Sequence, residues 1–127
     1  MPCARLHTRH LLWEWRLAAL GDSAELLVSE LVTNAAQASR EVAAAVRPRD
    51  AVPYGTVRLW LRANGERLLI CVWDASTQPP VRAEASAGDE GGRGLLLVDT
   101  VSDRWAWYYP QPEAGGGKVV WALLQLR

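Results

Sequence analysis

Apolar side chains return at two different intervals along this chain, and the change of interval divides it into helices and strands. Leu6, Trp13, Leu17 and Leu20 recur at helical spacing, with Arg5, Arg9 and Arg16 elsewhere around the wheel. This predicts an amphipathic helix over residues 4–19, facing the core through those four residues and closed by Gly21. Asp22-Ser-Ala-Glu25 has the form of a capping box, and Leu27, Leu31, Asn34 and Ala38 then fall on one stripe of a second helix. Asn34 is the polar member of that stripe. Pro48, Pro53 and Gly55 among charged residues predict a surface loop over 47–55.

The interval then shortens to two. Thr56-Val-Arg-Leu-Trp-Leu-Arg62 alternates, Asn64-Gly65 is a turn pair, and Arg67-Leu-Leu-Ile-Cys-Val-Trp73 is nearly all apolar, so the two segments form a hairpin whose second strand is covered on at least one face and ends at Asp74. From Gln78 to Gly94 the chain is rich in Pro, Ala, Gly and charge, which predicts a mobile loop. Gly94 to Val101 reads as a short buried helix. Arg104–Tyr109 and Lys118–Leu126 read as two further strands joined by a turn at Gly115-Gly-Gly117. There is no repeat and no second domain, so residues 1–127 are expected to form one α/β domain.

Composition narrows the function classes. A chain of 127 residues buries roughly 70% of its unfolded surface and folds without staples. Fourteen basic and fourteen acidic residues leave no net charge, against the footprint of a nucleic-acid backbone binder. Lys118 is the one lysine. Cys3 and Cys71 have no metal-ligand spacing, and Cys71 lies in an apolar run, as a buried small hydrophobe would. No apolar stretch reaches the roughly 20 residues needed to span a bilayer, so a soluble, cytoplasmic protein without a membrane partner is expected. Seven Trp and no Phe place the aromatic packing on tryptophan, mostly in the core.

Three groups of residues carry candidate chemistry. Glu30 and Asn34 stand one helical turn apart and project from one face. A carboxylate there can deprotonate an attacking hydroxyl, and an amide oxygen can complete the shell of Mg²⁺, which keeps several waters and takes few protein ligands. The alternative is an exposed Glu beside a hydrogen-bonded Asn. Asp74 ends an apolar strand, where a carboxylate needs a donor such as the exocyclic amine of adenine; alternatively it begins a turn continued by Ser76 and Pro79. Gly88, Gly91, Gly92 and Gly94 can let backbone amides approach phosphate, with Arg93 among them, or can be a flexible linker before a helix. No Walker sequence occurs, which excludes a P-loop protein.

In this order the residues resemble a known family. Glu30-Leu-Val-Thr-Asn34-Ala resembles the N box, Asp74-x-Ser76-x-x-x-Pro80 the adenine-binding box, and Gly92-Arg-Gly94-Leu-x-Leu-Val98 the glycine box of the gyrase, chaperone, histidine-kinase and mismatch-repair ATPase superfamily. The match is to its branch of anti-sigma-factor serine/threonine kinases. Arg104-Trp105 and the terminal Val-Trp-Ala-Leu strand match as well. The resemblance implies a Bergerat-type fold, a two-layer α/β sandwich of a mixed, mostly antiparallel sheet with helices on one face, binding ATP and Mg²⁺ beneath a lid of residues 81–93. It implies Glu30 as catalytic base, Asn34 as Mg²⁺ ligand, Asp74 and Ser76 at the adenine, and Gly92, Arg93 and Gly94 facing phosphate.

The chain also departs from that pattern. Gln37-Ala38 stand where the branch has Arg-His, Ala106 where it has Gly, and the strand that normally precedes the first helix is missing. The function implied is phosphorylation of a hydroxyl on an anti-sigma-antagonist domain, with exchange of that partner for a sigma factor, and a homodimer. The alternative is a non-catalytic module that regulates by sequestration. A detached histidine-kinase catalytic domain fits the pocket but not Ser76 and Arg104-Trp105.

Overall fold

Ala4, Thr8 and Leu12 lie one turn apart on the first helix, and this stripe, not the one through Leu6 and Trp13, meets the core in the computed structural model, which describes residues 2–45, 56–80 and 90–127. Helix α1 spans Pro2–Glu14 and ends five residues before its apolar spacing predicts. Leu6 and Trp13 are 67% and 71% exposed. The helix stops because Arg16 adopts a left-handed conformation (φ 60) and the Leu17 amide donates to Leu12 O at 2.7 Å, so Leu17 enters the core from a turn. Thr8 tolerates full burial because its hydroxyl donates to Ala4 O at 2.8 Å.

A single 3₁₀ turn, Ala18–Leu20, runs directly into α2, Gly21–Ala45. Asp22 and Glu25 therefore do not act as the expected capping box. Both carboxylates instead accept from Arg9, Asp22 at 3.1 Å and Glu25 at 2.7 and 2.9 Å, which ties α1 to α2 and holds the Glu25 carboxyl below its ordinary pKa. Along α2, Ala24, Leu27, Val28, Leu31, Val32 and Ala35 are buried at intervals of three and four, the face that lies on the sheet. Full burial of one Leu or Val side chain stabilises by about 1.5–3 kcal/mol, so this face outweighs the intrinsic propensity of the helix.

Four described strands follow: β1 (Val57–Asn64), β2 (Arg67–Asp74), β3 (Arg104–Tyr108) and β4 (Lys118–Gln125), with α3 (Glu90–Val101) between β2 and β3. Their order is β1-β2-β4-β3, and every described pairing is antiparallel. Leu68, Ile70 and Val72 of β2 and Val120, Ala122 and Leu124 of β4 join the helices in the main core, with Val57, Leu59 and Leu61 of β1 and Trp105 and Trp107 of β3 packed against it. The opposite face carries a smaller cluster of Cys71, Trp73 and Val119, flanked by Trp60, Leu69 and Trp121. Helices on one face of an antiparallel sheet bear out the α/β sandwich.

Tryptophan behaves differently from expectation. Trp73 is the only buried one; Trp13 is exposed and the other five are half-buried, because most lie on the outer sheet face or at the edges of the core. No helix of the described residues is long and apolar enough to cross a membrane. The loop expected over 47–55 and residues 81–89 of the expected lid lie outside the described residues.

Cys3 is exposed, whereas Cys71 is buried and its thiol is pushed up to about 11 by desolvation. The thiolate is the reactive form. In the native protein one thiol, that of Cys3, is expected to react with a maleimide at pH 7.5, and the second only after denaturation, as read by intact mass.

Candidate functional site

The helix-facing side of the sheet is apolar along β2 until its last residue. Asp74 continues the alternation of Leu68, Ile70 and Val72, so its side chain points toward the helices, and it is 2% exposed. Its cross-strand partner is Lys118, the first residue of β4, which is 4% exposed. Lys118 Nζ donates to Asp74 Oδ1 at 2.9 Å, and the Ser76 amide donates to the same oxygen at 2.8 Å. Burial pushes the Asp74 carboxyl above its ordinary pKa, with Lys118 and the Ser76 N–H pulling it part of the way back. The donor that a carboxylate at the end of an apolar strand needs is supplied within the fold, where Asp74 is half of a buried ion pair.

The chain around Asp74 is held by a dense set of polar contacts. Ser76 is buried and its hydroxyl accepts the Gln78 amide at 3.1 Å, so both Asp74 and Ser76 shape the turn that follows β2. The turn reading of these residues is thus realised together with the burial of the carboxylate. Tyr109 donates to Thr77 O at 2.7 Å and stacks edge-on against Trp107 with ring centroids 5.0 Å apart, anchoring the same turn to the end of β3.

Helix α2 is fixed to this end of the sheet by Ser39. Its buried hydroxyl donates to Thr56 O at 2.7 Å and accepts the Ala75 amide at 2.9 Å. Asn34 lies five residues earlier on the same helix and Glu30 nine, or about 7.5 and 13.5 Å along its axis. Both are half-buried, one turn apart, on the flank of the face that meets the sheet. The fold thus sets Asp74 under one end of α2 with the carboxylate and carboxamide receding from it along the helix. An amide and a carboxylate are hard oxygen donors, suited to Mg²⁺ held chiefly by waters and phosphate. Among the described residues no three His, Cys, Asp or Glu side chains cluster as a protein-only metal site.

The glycine segment differs from expectation. Gly91, Gly92, Arg93 and Gly94 form no separate turn; they lie in the first turns of α3, which begins at Glu90 and packs on α2. Leu95 and Val98, buried in the same helix, hold it in place, and this offsets the roughly 0.5–1 kcal/mol that each helical Gly costs relative to Ala. The first four amides of a helix have no partner within it. Here they include those of Glu90, Gly91 and Gly92, so the segment keeps donors for an anion in a helical setting.

Three contributors were not found from the sequence. Lys118 gave no local signal and is identified only by its register opposite Asp74. Ser39 follows buried Ala35 by one turn, a weak hint of a polar contact. Gly117 was assigned to a turn, and the turn is observed, with left-handed φ values of 105°, 69° and 70° at Gly115, Gly116 and Gly117. Gly117 does more than turn the chain, since a Cβ there would overlap the Asp74 carbonyl oxygen and crowd the Trp73 indole, which itself donates to Gly116 O at 2.8 Å.

Residues 5–123 match the family model of the histidine kinase-like ATPase domain. No curated protein matches the chain.

Asp74→Asn strands a buried ammonium without its carboxylate and is expected to lower stability by about 3–5 kcal/mol, whereas Asp74→Asn combined with Lys118→Met recovers most of that loss in urea unfolding. The folded chain holds the Asp74 proton more tightly than the unfolded chain does. Its contribution to stability is therefore greatest below the ordinary carboxyl pKa of 3.8 and declines as pH rises through the raised value. The double variant removes this decline. Gly117→Ala, combining a left-handed φ with overlap, is expected to cost about 2–5 kcal/mol by the same measurement.

Proposed function

Because the chain belongs to the histidine kinase-like ATPase family, we propose that its site binds ATP with the base at Asp74 and the phosphates running along α2 toward Asn34 and Glu30, and that the protein is a serine/threonine kinase of the anti-sigma type. The observation that carries this reading is the buried carboxylate at the end of β2, on the helix-facing side of the sheet, under the helix that bears Asn34 and Glu30. A buried carboxylate can accept from the exocyclic amine of adenine, and Ser76 holds the turn that presents it.

Phosphoryl transfer requires positioning and charge neutralisation more than covalent chemistry by the protein. Asn34, together with water, would hold Mg²⁺, which would supply charge neutralisation at the phosphates. Glu30 takes the proton of an incoming serine or threonine hydroxyl as its oxygen bonds to the γ-phosphorus and the bond to the β-phosphate oxygen breaks, releasing ADP. Gly92 contributes an amide and Arg93 a charge at the start of α3, with Gly94 inside its first turns, and residues 81–93 act as the lid. The acceptor hydroxyl belongs to an anti-sigma-antagonist domain, and the alternative partner is a sigma factor, with the chain working in the cytoplasm as a homodimer.

A second reading, a non-catalytic module that sequesters its partner, is favoured by Gln37 and Ala38. Gln37 is exposed and Ala38 half-buried, and neither supplies a charge toward phosphate.

Titration calorimetry with ATP, with and without Mg²⁺, tests the pocket; transfer of labelled γ-phosphate to a candidate antagonist domain tests the chemistry. Glu30→Gln is expected to keep nucleotide binding and lose transfer by about 10²-fold or more. Wild-type protein that binds ATP and partner yet transfers nothing supports the sequestering module. Equal loss of binding and transfer in Glu30→Gln would place this carboxylate in the metal or water shell.

A further inference from the structure

The single lysine of the chain stands where the fold has no need of a charge. Lys118 and Asp74 face each other across two central strands, both almost fully buried, at the end of an otherwise apolar stripe. Two apolar side chains of similar size at such a place fold as well as an ion pair or better. Burial already disfavours the charged form of Asp74 here, so the pair is poorly explained by stability.

The hydrogen-bond inventory of the ammonium is incomplete. It has three N–H donors, and among the described residues one acceptor, Asp74 Oδ1, meets it. A buried ammonium is strongly favoured to take further acceptors. The pair therefore offers a carboxylate acceptor and a charged donor side by side, 2.9 Å apart. Adjacent atoms of the adenine Watson–Crick edge carry the complementary groups, the N6 amine as donor and N1 as acceptor. Guanine carries an acceptor at O6 and a donor at N1, the reverse order. In the same pose it sets O6 against the carboxylate and N1–H against the ammonium.

We propose that Lys118 is a second base-reading residue of the nucleotide pocket, donating to adenine N1 while Asp74 accepts from the N6 amine. The inference rests on the nucleotide-binding reading given above and adds to it a direct, charge-assisted contact that selects adenine over guanine. Such contacts discriminate strongly because a mismatched base leaves buried polar groups unpaired. Ser76, by holding Asp74 Oδ1 through its amide, keeps the carboxylate in register with the lysine.

The test uses the wild-type chain with Mg²⁺ and four triphosphates, ATP, 1-deaza-ATP, 7-deaza-ATP and GTP, in titration calorimetry. The 1-deaza analogue lacks only the N1 acceptor and the 7-deaza analogue lacks an acceptor on the other ring. Loss of one charge-assisted hydrogen bond predicts that 1-deaza-ATP binds about tenfold or more weakly than ATP, while 7-deaza-ATP stays within about twofold. GTP should bind at least as weakly as 1-deaza-ATP. In Asp74→Asn/Lys118→Met, which carries no unpaired buried charge, and in Lys118→Met, provided circular dichroism shows it folded, the gap between ATP and 1-deaza-ATP should close to about twofold or less. Equal wild-type affinity for ATP and 1-deaza-ATP, or GTP binding as tight as ATP, overturns the role of Lys118 and leaves the ATP pocket standing. Binding of none of the four overturns the pocket and the lysine's role together.

Discussion

The register of β2 between β1 and β4 is the constraint on which the rest of the structure depends. Side chains alternate along a strand, so a slip of one residue would turn Leu68, Ile70, Val72 and Asp74 away from the helices and bring Leu69, Cys71 and Trp73 inward. Three buried aliphatic side chains at about 1.5–3 kcal/mol each outweigh one neutral hydrogen bond, worth about 0.5–1.5 kcal/mol. In the observed register Leu68, Ile70 and Val72 complete the core beneath the helices. The charged pair follows as a consequence, because Asp74 and Lys118 continue the same alternation beyond the last apolar residues.

That consequence sets the electrostatics of the site. The Asp74 carboxyl, removed from water, is met by the Lys118 side chain and the Ser76 amide. Neighbouring groups pin the geometry. Ser39 locks α2 over the strand ends, Gly117 lets the β3–β4 connection pass against the Asp74 backbone, and Tyr109 secures the turn beyond Ser76. Groups pinned this way are preorganised, so a ligand matching them would meet donors and acceptors already in place.

Much of the architecture was legible before any coordinates. The Asn64-Gly65 hairpin, the strand ending at Asp74, the Gly115–Gly117 turn and the long helix through Glu30 and Asn34 all follow from local spacing and turn chemistry, and all are present. The face of α1 was not legible. Leu6 and Trp13 are as well spaced as Ala4, Thr8 and Leu12, and periodicity cannot see that Arg16 turns the chain and that Thr8 satisfies its own hydroxyl. Asp22 and Glu25 fit a capping box equally well until Arg9, more than ten residues away, takes both carboxylates.

The sequence by itself determined the elements, their order and the residue types able to handle a nucleotide, because helical and strand periods, glycine turns and capping preferences act within a few residues. Only the tertiary structure decided which carboxylate is buried and what it faces. Asp74 and Lys118 are far apart in the chain, and their 2.9 Å contact exists because two apolar strands pair in one register. The same long-range packing set the glycines before Leu95 into α3 and left Leu6 and Trp13 in solvent. Burial is a property of the assembled layers, and no local pattern reports whether a polar side chain will find its partner once water is gone.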